Sequence, residues 1–150
     1  MNDLRELYQE VILDHGKHPR NFRTPDDATA EAHGSNPLCG DQLTVYIKLG
    51  DDHLVEDIAF TGRGCAISVA SASMMTELVK GKTEAETRVI FETFHGMCTG
   101  EGDDSDVGED LDKLKVLSGV RDFPTRVKCA TLPWHTLVAA LAGDDEVTTE

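Results

Sequence analysis

The sequence predicts an α+β fold, a small antiparallel sheet of about three strands covered on one side by about four to five helices. Three observations carry this. Two apolar-alternating stretches flank Gly50-Asp51-Asp52 and read as a hairpin. Several longer stretches place apolar residues three and four apart, the period of an amphipathic helix. The 150 residues show no internal repeat and no long linker, so they are expected as one domain over 1–150 with one core.

Taken in order, Leu4, Leu7, Tyr8, Val11 and Ile12 fall at helical spacing, and a helix is expected over residues 2–14, ended by Gly16 and Pro19. His15 to Asn21 then form a basic, turn-rich loop, the one concentrated positive stretch, in which His15 and His18 are expected to serve a surface or docking role. Residues 29–35 are compatible with a short edge strand. Asn36-Pro37-Leu38-Cys39-Gly40-Asp41 reads as a loop, because Asn-Pro and Gly form turns. Residues 43–49 and 54–61 are the hairpin strands, closed by Gly62-Arg63-Gly64-Cys65.

Small residues together with Met74, Met75 and Leu78 give a helix from Ala66 to Val79 that packs closely on the sheet. Thr83-Glu84-Ala85-Glu86 is a capping box opening a further helix to about Met97. The glycine- and acid-rich stretch near 99–120 is expected as an acidic insertion with a short helix through Leu117. Pro124 begins a turn leading to Cys129, Leu132 to Leu141 is the last helix, and 143–150 is a frayed tail.

Charge and composition exclude some classes of function. A net charge of −14 argues against nucleic acid, whose phosphates call for a basic surface, and suits a solvated acidic surface or docking on a basic partner. The absence of any run of about 18 apolar residues argues against a membrane span. Met1-Asn2-Asp3-Leu4-Arg5-Glu6 lacks the basic-then-apolar pattern of a signal peptide, so the expected compartment is cytoplasmic. Four cysteines there are expected as reduced thiols, available for metal binding or catalysis.

Cys39 and Asp41 share a loop with Gly40 between them, which lets both side chains turn toward one ion. Cys65 follows a strand end and precedes a helix, and Cys129 is expected near a helix start, where the helix dipole favours a thiolate. Thiolates with a carboxylate suit tetrahedral zinc, and thiolates equally suit an iron–sulfur cluster. With no Cys-x-x-Cys knuckle, spacing alone also leaves open that these are separate buried cysteines acting as small apolar residues.

Four blocks in order resemble the SufU family of IscU-like iron–sulfur assembly proteins. They are Leu7-Tyr8 through Val11-Ile12-Leu13-Asp14-His15 with Pro19-Arg20-Asn21; Asn36 to Asp41; Gly62 to Ser68 with Ala70 to Met75; and Arg126 to Trp134. The resemblance covers about residues 4–142. IscU-type scaffolds carry a histidine before the third cysteine, where this chain has Lys128. Their proline-valine-lysine segment is replaced by Phe123-Pro124-Thr125-Arg126, and the acidic insertion is a SufU trait.

The resemblance implies an IscU-like fold, zinc held by Cys39, Asp41, Cys65 and Cys129, and sulfur accepted by Cys39 from a SufS-type cysteine desulfurase. The product sulfur would serve downstream iron–sulfur assembly proteins. Such a chain is a zinc-dependent sulfurtransferase acting with its partner, not a stand-alone enzyme. Arg126, three residues before Cys129, is implied to act in sulfur acceptance, against the alternative of a surface arginine in a salt bridge. Asp41, the weakest-field ligand on what reads as the most mobile loop, is expected to exchange first. Two rival readings use the same residues: a scaffold on which a [2Fe–2S] cluster is assembled, with iron in place of zinc, and a structural zinc module. A hydrolase built on Cys98 and His95 is a distant third, since no glycine-framed nucleophile motif accompanies them.

Overall fold

Alternation along β2 (Asp41–Leu49) determines how the layers stack. Asp41, Leu43, Val45 and Ile47 are buried, whereas Gln42 is exposed and Thr44 and Tyr46 are partly so. With a side-chain period of two, one face of the sheet is therefore apolar and covered, and the other is polar and open. The structure, a computed structural model, describes residues 3–37, 39–99, 114, 115, 117, 120 and 123–148.

The elements in chain order are α1 (Asp3–Lys17), β1 (Ala30–Asn36), β2, β3 (Val55–Arg63), α2 (Ala66–Val79), α3 (Glu84–Thr99), α4 (Pro124–Ala142) and β4 (Glu146–Thr148). The sheet order is β3-β2-β1-β4. The first three strands are antiparallel neighbours and β4 runs parallel to β1. The core joins Val45, Ile47, Ile58 and Phe60 of the sheet to Met75, Phe94, Leu132, Trp134 and Leu137 of the helices, all at most 2% exposed. Met74 is buried in the same core and Val69 packs against it. Gly34 brings α4 close, because a Cβ there would collide with Thr136. Among the described residues no helix is long and apolar enough to cross a membrane.

The capping box is present: the Thr83 amide donates to Glu86 Oε1 at 3.0 Å, and the Glu86 amide donates to Thr83 Oγ1 at 3.2 Å. Three expectations change. First, the segment over 29–35 is realised as β1, an inner strand, because residues expected as a frayed tail form β4 beside it. Gly143 adopts the left-handed conformation (φ +85°) that ends α4 and turns the chain back, and the His33 amide donates to the Asp145 carbonyl at 2.8 Å.

Second, the last helix starts at Pro124 rather than at Leu132 and runs through Pro133. Proline is suited to the first helical turn, where its missing N–H has no intrahelical role. Third, α1 continues through Gly16 to Lys17, and His15 is buried rather than superficial. Its Nδ1 lies 2.7 Å from the Ser73 hydroxyl on α2, which also accepts the Arg20 amide at 2.9 Å. His18 is exposed, as expected. Most of the acidic insertion falls outside the described residues; of its far end, Leu114, Leu117 and Val120 are buried in the core.

Candidate metal centre

The register of β1 with β2 pairs Asn36 with Asp41 at the end of the ladder. Both belong to the side of the sheet that faces the helices, and both are 1% exposed. Four residues join them, and Gly40 takes a left-handed conformation (φ +74°) that closes this tight turn. Asn36 accepts the amides of Cys39 (3.2 Å) and Gly40 (2.9 Å) on its carbonyl, which holds Cys39 at the crest of the turn, exposed to solvent.

Cys65 sits one residue before α2 as its N-cap and is half-buried; its amide donates to Asp41 Oδ1 at 2.9 Å. Gly64 makes that contact possible, since a Cβ there would strike the Asp41 carboxylate at 2.5 Å. Cys129 lies in the second turn of α4, not at its start, on the stripe shared with Leu132 and Thr136 that faces the sheet. Dipole stabilisation at a helix N-terminus therefore bears on Cys65 more directly than on Cys129.

The ligand atoms of Cys39, Asp41 and Cys129 all lie within 4.8 Å of one another. The Cys129 thiol approaches Cys39 Sγ at 3.4 Å and the Thr125 carbonyl at 3.5 Å. Cys65 falls outside that mutual distance but adjoins the cluster through Asp41 and through its own contact with the Cys129 thiol. Burial pushes the Cys129 thiol above its ordinary value, and contacts with Cys39, Asp41 and Cys65 push it further. A buried thiol ringed by acceptors and a carboxylate keeps its proton until a cation compensates the charge.

The donor set fits zinc. A tetrahedral ion at about 2.3 Å from sulfur places its donors about 3.8 Å apart. The Cys39–Cys129 separation of 3.4 Å is close to that. Asp41 is held through both oxygens, Oδ1 by the Cys65 amide and Oδ2 by Asn36 Nδ2 at 3.3 Å. The mobile loop position from which Asp41 was expected to exchange first is not what the structure holds: Asp41 is buried, doubly hydrogen-bonded and part of β2, whereas Cys39 is the exposed donor.

Arg126 stands in the first turn of α4, exposed, and among the described residues its side chain makes no hydrogen bond or ion pair. The surface salt bridge considered as its alternative role is thus not formed among them. Lys128 is also exposed. Cys98 is fully buried and burial pushes its thiol up to about 12, the setting of a small apolar core residue. His95 instead meets the His135 ring at 5.6 Å, and Phe91 packs against both. Sequence reasoning saw Asn36 only as a turn former; its side-chain amide also donates to Cys129 Sγ at 3.6 Å. The signal for that role is its pairing with Asp41 across the ladder.

The family model of the NifU-like N terminal domain matches residues 7–141. The zinc-dependent sulfurtransferase SufU of Bacillus subtilis (strain 168) is 41% identical over 143 residues, spanning 95% of this chain and 95% of that protein. The iron–sulfur cluster assembly scaffold protein IscU of Streptococcus pyogenes serotype M1 is 38% identical over 141 residues, spanning 94% and 86%. A solved structure, the N-terminal part of a nitrogen-fixing NifU-like protein from Brucella abortus, superposes with a TM-score of 0.82 at 25% identity, covering 93% of this chain and 95% of that one. This chain belongs to the family of the NifU-like N-terminal domain, in which it stands beside SufU and IscU proteins.

Proposed function

We propose that the chain is an iron–sulfur cluster assembly protein of SufU type, which binds zinc and accepts persulfide sulfur on Cys39 from a cysteine desulfurase in the cytoplasm. One observation carries this reading: of the donors gathered at the sheet end, Asp41 and Cys129 are buried and Cys39 is exposed. A purely structural zinc module has no use for an exposed ligand on a turn, whereas a sulfur acceptor needs one thiol within reach of its partner.

Cys39, Asp41, Cys65 and Cys129 would hold the ion. Zinc, when bound, keeps the thiols as thiolates and masks them from oxidation. Cys39 acts once the docked partner draws it out of the site. Its thiolate attacks the terminal sulfur of the partner's cysteine persulfide, forming a new S–S bond at Cys39 as the partner's S–S bond breaks. The partner cysteine leaves as a thiolate, so charge and electrons balance and no external oxidant is needed. Arg126, exposed on the same helix as Cys129, is placed by this reading near the incoming negative charge.

Purified protein should carry about one zinc per chain and stimulate its desulfurase, and Cys39→Ala should abolish stimulation while remaining folded. Iron and sulfide in the purified protein, with no stimulation, would contradict the reading and favour the [2Fe–2S] scaffold. Unfolding of Cys39→Ala together with absent sulfur uptake would favour the structural zinc module.

A further inference from the structure

We propose that Asn36 is a positioning residue of the metal centre: its side-chain amide anchors Asp41 and Cys129 and leaves Cys39 as the ligand able to depart. Asn36 thereby fixes the two buried ligands and not the one that leaves, an inference that rests on the sulfur-acceptor reading of Cys39.

A primary amide nitrogen has two N–H donors and no charge. At Asn36 both are used within the centre, one toward Asp41 Oδ2 at 3.3 Å and one toward Cys129 Sγ at 3.6 Å. The nitrogen, not the oxygen, must face these atoms, because a carboxylate only accepts. The side chain is 1% exposed, so water does not substitute for either partner. Cys39 is treated differently: Asn36 reaches it only through its own carbonyl, which takes the Cys39 and Gly40 amides and shapes the turn without touching the thiol. The two side-chain donors of Asn36 thus fall on the two buried ligands and neither reaches the exposed Cys39 sulfur, while half-buried Cys65 is tied to the anchored Asp41 through its own amide.

Few other side chains suit the position. Aspartate would set a second carboxylate against Asp41, alanine offers no donor, and serine offers one. Hydrogen-bond donors just outside a metal's ligands typically contribute about 10–100-fold to metal affinity.

The test uses the full zinc-loaded chain and its Asn36→Ala and Asn36→Ser variants. Zinc affinity is read by competition with a chromophoric chelator, and each cysteine's rate of iodoacetamide alkylation is read by mass spectrometry, with thermal stability of the metal-free chains measured alongside. Asn36→Ala should weaken zinc about 10–100-fold and bring Cys129 alkylation up toward the rate of Cys39, with Asn36→Ser recovering part of both. If Asn36→Ala does not fold, Asn36→Ser alone decides through the same two readouts. Unchanged zinc affinity and an unchanged order of alkylation in a folded variant would overturn the proposal. So would lost thermal stability with alkylation still confined to Cys39, since that marks a packing role only. Alkylation of Cys65 or Cys129 ahead of Cys39 in the unsubstituted zinc protein would instead overturn the acceptor reading, while the affinity of Asn36→Ala tests the anchoring separately.

Discussion

Cys98 and Cys129 are both fully buried and both have raised thiol pKa values, and their neighbours separate their fates. Cys98 is pushed up to about 12 by burial alone and stays a small apolar residue. Cys129 has a carboxylate and two further sulfurs against it, so an ion that neutralises them also displaces its proton. Zinc binding should therefore release protons, and affinity should rise with pH through the neutral range, because the metal-free thiol is protonated there. Calorimetry in buffers of differing ionisation enthalpy reads this directly; a buffer-independent heat and a flat pH profile would contradict it. At this scale Cys39, Asp41, Cys65 and Cys129 were legible as a motif. Asn36 and the burial of Asp41 were not, because a side chain's place in a ladder depends on which residue it pairs with, and register is a long-range fact.

Helices α3 and α4 meet through aromatic rings: Phe91 and His95 on one, His135 on the other, with Phe91 and His135 at 5.1 Å. Burial lowers the His135 pKa below its ordinary 6.5, and the neighbouring His95 lowers it further. A lowered folded-state value means that the fold favours the neutral ring. The resulting stability is full above about pH 6.5 and is lost as pH falls below it, because the unfolded chain takes up the proton more readily. His135→Phe keeps the ring packing and removes the titration, so its melting temperature should fall less between pH 7 and pH 5 than that of the unsubstituted chain. Equal slopes would contradict this. Local patterns revealed α2 and the capping box of α3 because each is specified by neighbours in sequence. They missed β4, whose three residues have a partner only once α4 has carried the chain back to β1. They also shortened α4, since Pro124 and Pro133 read as breaks although one sits in the first helical turn and the other is held inside by burial.

Over the whole molecule, the sheet end and the helical layer converge on one small patch, to which a strand, a helix N-cap, a helix interior and a surface turn each bring one donor. Asp41 arrives by strand parity, Cys65 by the N-cap of α2 and Cys129 by the inward stripe of α4, so regular secondary structure places three of the four donors. Cys39 alone sits on a turn at the surface. The fold class and the donor residues were readable in the sequence; the division of labour between buried and exposed donors needed the packed layers. That division is tested by locating the transferred sulfur. The zinc-loaded chain would be incubated with its desulfurase and cysteine, and then digested and mapped by mass spectrometry without reduction. One added sulfur is expected on Cys39, with Cys65, Cys98 and Cys129 unmodified. Persulfide on Cys65 or Cys129, or no sulfur on any cysteine while the desulfurase turns over, would contradict it.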